Sequence, residues 1–79
     1  MNLIHAKKEV KIVTNTQALG HKILSANISK RELANLLNIS EACLYQKLSN
    51  KREFKASEIS KIKNALGLSV DETVHIFLE

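Results

Sequence analysis

Gln46 carries a hydrogen-bond donor and an acceptor side by side on one amide, the pairing needed to read the edge of a base. A step of about 100° per residue along Glu41 to Ser49 puts Leu44 and Leu48 on one side of a helix. Ala42, Gln46 and Ser49 come out opposite, with Tyr45 and Cys43 on the flanks. A helix held from behind by two leucines can lay its free side in the major groove of DNA. There glutamine pairs bidentately with adenine and a small side chain touches a thymine methyl. Gln46 is the leading candidate for base contact. Ala42 permits close approach, and Tyr45 reaches either a base edge or a phosphate. Glu41 is repelled by phosphates, yet it complements its helix dipole and can accept from a cytosine amino group.

Positioning on a phosphate backbone needs different chemistry, namely cations, hydroxyls and free amides. Lys30 and Arg31 open the preceding helix, Ser40 heads the reading helix, and Asn50, Lys51 and Arg52 form the loop after it. Lys47 and Lys55 are second-rank candidates for the same role. The formal charge is +4, which agrees with a polyanionic partner without requiring one. Its distribution is more informative. Lys30, Arg31, Lys47, Lys51, Arg52, Lys55, Lys61 and Lys63 occupy the middle of the chain, whereas Asp71, Glu72 and Glu79 are the charged residues after them.

The elements that must position these residues are announced by a repeated helix-start pattern. Ile28-Ser29-Lys30-Arg31-Glu32-Leu33 and Ile39-Ser40-Glu41-Ala42-Cys43-Leu44 each place a serine at the N-cap. Each also pairs apolar residues across the cap, Ile28 with Leu33 and Ile39 with Leu44. Glu32 completes a capping box, and Asn38 supplies a residue that tolerates the left-handed turn between the two helices.

Five short helices are expected in all. The first spans Asn15 to Ala26, capped by Thr14 with Gln17 at the reciprocal position and weakened by up to ~1 kcal/mol at Gly20. Lys30 to Leu37 and Glu41 to Leu48 or Ser49 follow, the latter burying Leu44 and Leu48. A fourth starts at Lys55, an uncommon cap that Ser57 can replace, and stops at Gly67. Ser69 and Glu72 open a last helix whose apolar side is Val70, Val74, Phe77 and Leu78; Phe77 and Leu78 cover the core, or Val74, Phe77 or Leu78 partly protrude and pair with a second subunit. Residues 1–13 read as an N-terminal arm or edge strand, with Lys7, Lys8 and Lys11 on a solvated terminus or along a duplex. Residues 14–79 read as one all-α domain.

Composition narrows the class. Seventy-nine residues suffice for one small domain, and 44% hydrophobic, 25% charged and no proline describe a folded, helix-rich chain. No apolar run reaches membrane-span length, and Met1 to Lys8 lacks the apolar region of a signal peptide, so a cytoplasmic location is expected. The single Cys43 cannot form an internal disulfide. With His5, His21 and His75 it offers neither tetrahedral zinc spacing nor an oriented nucleophile and base. No metal, cofactor, small-molecule substrate or enzymatic activity is expected.

The stretch from Ser29 to Arg52, followed by Phe54 and Ser57-Glu58-Ile59, resembles the Cro and cI-type (XRE-like) helix-turn-helix family, especially small phage repressors and Cro-like proteins. Glu32-Leu33-Ala34 is its most specific element. The resemblance implies a compact five-helix, lambda-repressor-like bundle that binds operator DNA as a homodimer. It places Lys30 at the phosphate-facing start of the second helix, and Glu41, Ala42 and Gln46 at base-contacting positions. Asn38 stands where a turn glycine is usual. Lys47 stands where an apolar residue is commoner, so Leu48 is expected to take over the anchoring and rotate the reading helix slightly.

Two functions are compatible with these residues. One is a sequence-specific transcriptional regulator that occludes a promoter, reading half-sites about 10 base pairs apart as a dimer. The other is a protein-interaction module, such as an antirepressor or antitoxin, for which the modest charge and Glu41 argue.

Overall fold

Serine hydroxyls open three of the helices in the computed structural model, which describes residues 13–78. Ser29 Oγ accepts from the Glu32 N–H, Ser40 Oγ from Cys43 and Ser69 Oγ from Glu72, each at 3.0 Å. Glu32 and Glu72 return the bond, each accepting from its serine N–H at 2.9 Å. These caps set α2 at Lys30–Leu37, α3 at Glu41–Leu48 and α5 at Val70–Phe77. The remaining helices are α1, Thr16–Ser25, and α4, Ala56–Leu66. The described residues contain no strand. The arm or edge strand expected over 1–13 lies, apart from Val13, outside them.

Each link between helices turns through one left-handed residue: Asn27, Asn38, Asn50 and Gly67, with φ between 57° and 65°. The residue that follows donates back across the helix end: Ile28 to Ile23 O, Ile39 to Ala34 O, Lys51 to Gln46 O and Leu68 to Lys63 O. Asparagine tolerates this conformation and glycine adopts it freely. The turn expected at Asn38 is therefore one instance of a device used throughout the chain.

Leu19, Leu33, Leu44 and Ile62 are fully buried where the helices meet. Phe54 and Phe77 close one end edge to face, their centroids 5.4 Å apart. α2 packs on α3 and α4, while α5 packs on α1 and α4. An ion pair between Lys22 and Glu72 ties α1 to α5.

Three local expectations are corrected. α1 is capped by Asn15, whose Oδ1 accepts from Ala18 N at 3.1 Å, because Thr14 is drawn inward and buried. The Asn15 N–H donates to Ile76 O at 2.7 Å, which pins the chain before α1 to the end of α5. On α5 the buried stripe is Thr73, Ile76 and Phe77, and Val70, Val74 and Leu78 are 67%, 36% and 55% exposed. Both stripes have helical spacing; Thr73 can go inside because its hydroxyl donates to Ser69 O at 2.8 Å. On α3 the second inward residue is Lys47, 3% exposed, while Leu48 is only half-buried.

Candidate nucleic-acid interface

α3 is short and its rotation decides everything about its outer face. With Leu44 and Lys47 as the inward residues, Cys43 and Leu48 lie at similar angles to either side, and both are half-buried. Glu41, Ala42, Tyr45, Gln46 and Ser49 are exposed. Compared with anchoring by Leu44 and Leu48, the inward direction turns by about 50°. Ala42 and Ser49 then stand at the centre of the outer face, with Tyr45 and Gln46 as equal shoulders. The four expected base-contacting residues are all open to solvent, but Tyr45 is as prominent as Gln46. Among the described residues, no hydrogen bond holds the Gln46 amide.

Lys47 is withdrawn from any phosphate. Its Nζ donates to Glu58 Oε1 at 2.7 Å and to Glu53 O at 3.1 Å, and it lies 5.8 Å from the Phe54 ring centroid. Glu58 Oε1 also accepts from the Lys55 N–H at 2.8 Å. Lys55, whose side chain can only donate, caps α4 through its backbone alone. Burial pushes the Glu58 carboxyl up. Hydrogen bonds from Lys47 and the Lys55 N–H, with the two ammonium charges, outweigh burial and hold it below the usual carboxylate range.

Most of the expected phosphate-contacting residues gather around α3. Lys30 Nζ sits 5.8 Å from the Tyr45 ring centroid, joining the head of α2 to the outer face of α3. Arg31 Nε approaches Glu41 Oε2 at 3.9 Å across exposed surface. Such a pair adds about 0–1 kcal/mol to stability, yet it offsets the negative charge of Glu41. Ser40 Oγ is used as an acceptor by its cap, so its own hydrogen remains for donation. After α3 the Lys51 and Arg52 amides both donate to Gln46 O, at 2.8 and 3.3 Å, folding the loop back over the helix end. Arg52 Nη1 reaches Cys43 Sγ at 3.5 Å. Its guanidinium therefore lies along the flank of α3.

Asn50 has a partner far away in the chain. Its Oδ1 accepts from Thr14 N at 3.0 Å and its Nδ2 donates to Thr14 O at 3.1 Å. The amide fork clamps the start of the bundle to the end of α3, and one Nδ2 hydrogen remains for a further acceptor.

Sequence reasoning also missed neighbours. An open recess of about 340 Å³ between α1 and α3 is lined by Thr16, Gln17, Gly20, Lys30, Tyr45 and Ser49, among others. Gln17 and Thr16 thus border the outer face of α3 although they are far from it in the chain, and no local pattern announces that proximity. Among the described residues no group of three or more His, Cys, Asp or Glu side chains can hold a metal ion, and no helix is long and apolar enough to cross a membrane. Comparison with family models, with characterised proteins and with solved structures finds no match in any of the three.

Proposed function

We propose that this chain is a cytoplasmic, sequence-specific DNA-binding regulator of the Cro and cI helix-turn-helix kind, acting as a homodimer on an operator. The observation that carries this reading is the open outer face of α3, ringed by exposed cations. Ala42, Tyr45, Gln46 and Ser49 present small, aromatic and amide groups to the exterior. Lys30, Arg31 and Arg52 are held beside that face by contacts to Tyr45, Glu41 and Cys43. Amides and cations at the edges suit phosphates, and the residues at the centre suit base edges. Occupying a promoter is then sufficient to block it.

Selection from a randomised duplex library, followed by gel shift on the recovered sequence, tests the reading. A recovered site with two-fold symmetry and half-sites about 10 base pairs apart is expected. Four phosphate contacts per subunit, from Lys30, Arg31, Lys51 and Arg52, make eight for the dimer and correspond to a slope of log affinity against log salt of about −7. A folded protein that prefers no duplex overturns the proposal.

One observation favours a second reading. Val70, Val74 and Leu78 leave an apolar stripe on the outside of α5, which suits a protein partner as well as a second subunit. An antirepressor or antitoxin would bind that partner without DNA and show a shallow salt slope.

A further inference from the structure

The Lys47–Glu58 pair lies where α3 meets α4, with the two side chains 4% and 7% exposed. Taking two charges out of water is costly, and apolar residues of similar volume often hold such a contact at least as well. Stability alone does not account for the pair. What it supplies is direction: an apolar contact tolerates sliding, whereas Nζ must meet Glu58 Oε1 and Glu53 O together. Glu58 Oε1 in turn accepts from Lys55 N, so one network joins α3, the loop carrying Lys51 and Arg52, and the head of α4.

We propose that Lys47 and Glu58 are positioning residues that fix the rotation of α3 about its axis and the path of the loop after it. Through that rotation they set which bases the outer face selects, a consequence that rests on the DNA-binding reading above. Without the tether the helix is free to roll toward Leu44 and Leu48 as its inward pair. A roll of about 25°, half the arc between the two arrangements, moves a side-chain tip about 6 Å from the axis by about 2.5 Å. That exceeds the tolerance of a hydrogen bond to a base edge.

The test is the K47M/E58Q double variant, in which glutamine keeps an acceptor for Lys55 N. Amide hydrogen exchange is compared with the wild type, alongside affinity for the selected duplex and for a scrambled one. The expected result is lost protection at the Lys51 and Arg52 amides while those of Leu19 and Ile23 in α1 keep theirs. The ratio of selected to scrambled affinity should fall about tenfold or more, the discrimination of one displaced base contact. A uniform loss of protection across all helices would reduce the pair to a stabilising contact and overturn the proposal. Wild-type exchange with wild-type selectivity in the folded variant would also overturn it. If that variant does not fold, K47M/E58L, which leaves no buried polar group at either position, is read in the same way. Should the wild-type chain prefer no duplex, the DNA-binding reading falls alone, and the exchange comparison still decides whether the pair holds α3 and its loop.

Discussion

Replacing Asn50 separates a clamp, which its bonds to Thr14 make, from a phosphate ligand, which its place in the sequence suggests. The side chain makes two hydrogen bonds to the Thr14 backbone, and the residue itself sits at φ 61°. Asn50→Gly keeps the left-handed turn and deletes the fork. At about 1 kcal/mol net for each bond it should cost about 2 kcal/mol. Asn50→Ala deletes the same fork and, unlike glycine, keeps a Cβ in left-handed backbone without the side-chain hydrogen bonding that lets asparagine tolerate it, at about 1 kcal/mol more. For a domain of this size the glycine variant should melt about 8–16 °C below wild type, and the alanine variant lower again. Thermal unfolding followed by circular dichroism measures both. A glycine variant that melts with the wild type but binds DNA more weakly would refute the clamp and restore Asn50 to the phosphate backbone.

Gly20 lies inside α1 with nothing within 4 Å of where a Cβ would stand, so Gly20→Ala should stabilise the fold by up to about 1 kcal/mol in urea denaturation. Gln46→Ala should leave the melting temperature unchanged and cost about 1–3 kcal/mol of discrimination at one base position in competition gel shifts. Glu58, Glu32 and Glu72 each titrate below the ordinary carboxylate range. Their contribution is therefore complete above the unfolded-state value of about 4.5. It is lost as pH falls through the folded-state values, and an acid titration monitored by circular dichroism should show it. Glu58→Gln should make that acid loss shallower while lowering stability at neutral pH, since it leaves the Lys47 ammonium buried without its counter-charge.

What was legible in the sequence was chemistry that closes within a few residues. The Ser29, Ser40 and Ser69 caps, the left-handed Asn38 and the stop at Gly67 depend on neighbours no more than five positions away, and each bounds an end of α2, α3, α4 or α5. Thr14 and Asn15 both have side chains that can cap, and the spacing to Gln17 points to Thr14. The choice between them was made by Asn50 and Ile76, partners that only the assembled bundle brings near. The α5 stripe was ambiguous for a related reason. Val70, Val74 and Leu78 are the more apolar set, yet Thr73 and Ile76 go inside because a threonine that bonds its own preceding turn carries no unsatisfied hydroxyl into the core.

The exposed face of α3 survived an error in its anchor, and the geometry explains why. A helix this short shows about half its circumference, so turning the inward direction by about 50° exchanges residues at the flanks before it reaches the centre. Ala42, Gln46 and Ser49 stay outside under either anchor, and Tyr45 moves from flank to shoulder. A buried lysine is invisible to hydrophobic periodicity, because the pattern scores it as solvent-facing and finds Leu48 one position on. Its carboxylate partner lies in the next helix, where Glu58 already has a local explanation as the residue three places after the cap. One glutamate thus serves two helices through a single oxygen. Only the role at the head of α4 falls within the reach of a local pattern, while the role at α3 sets the orientation of the face on which the proposed function depends.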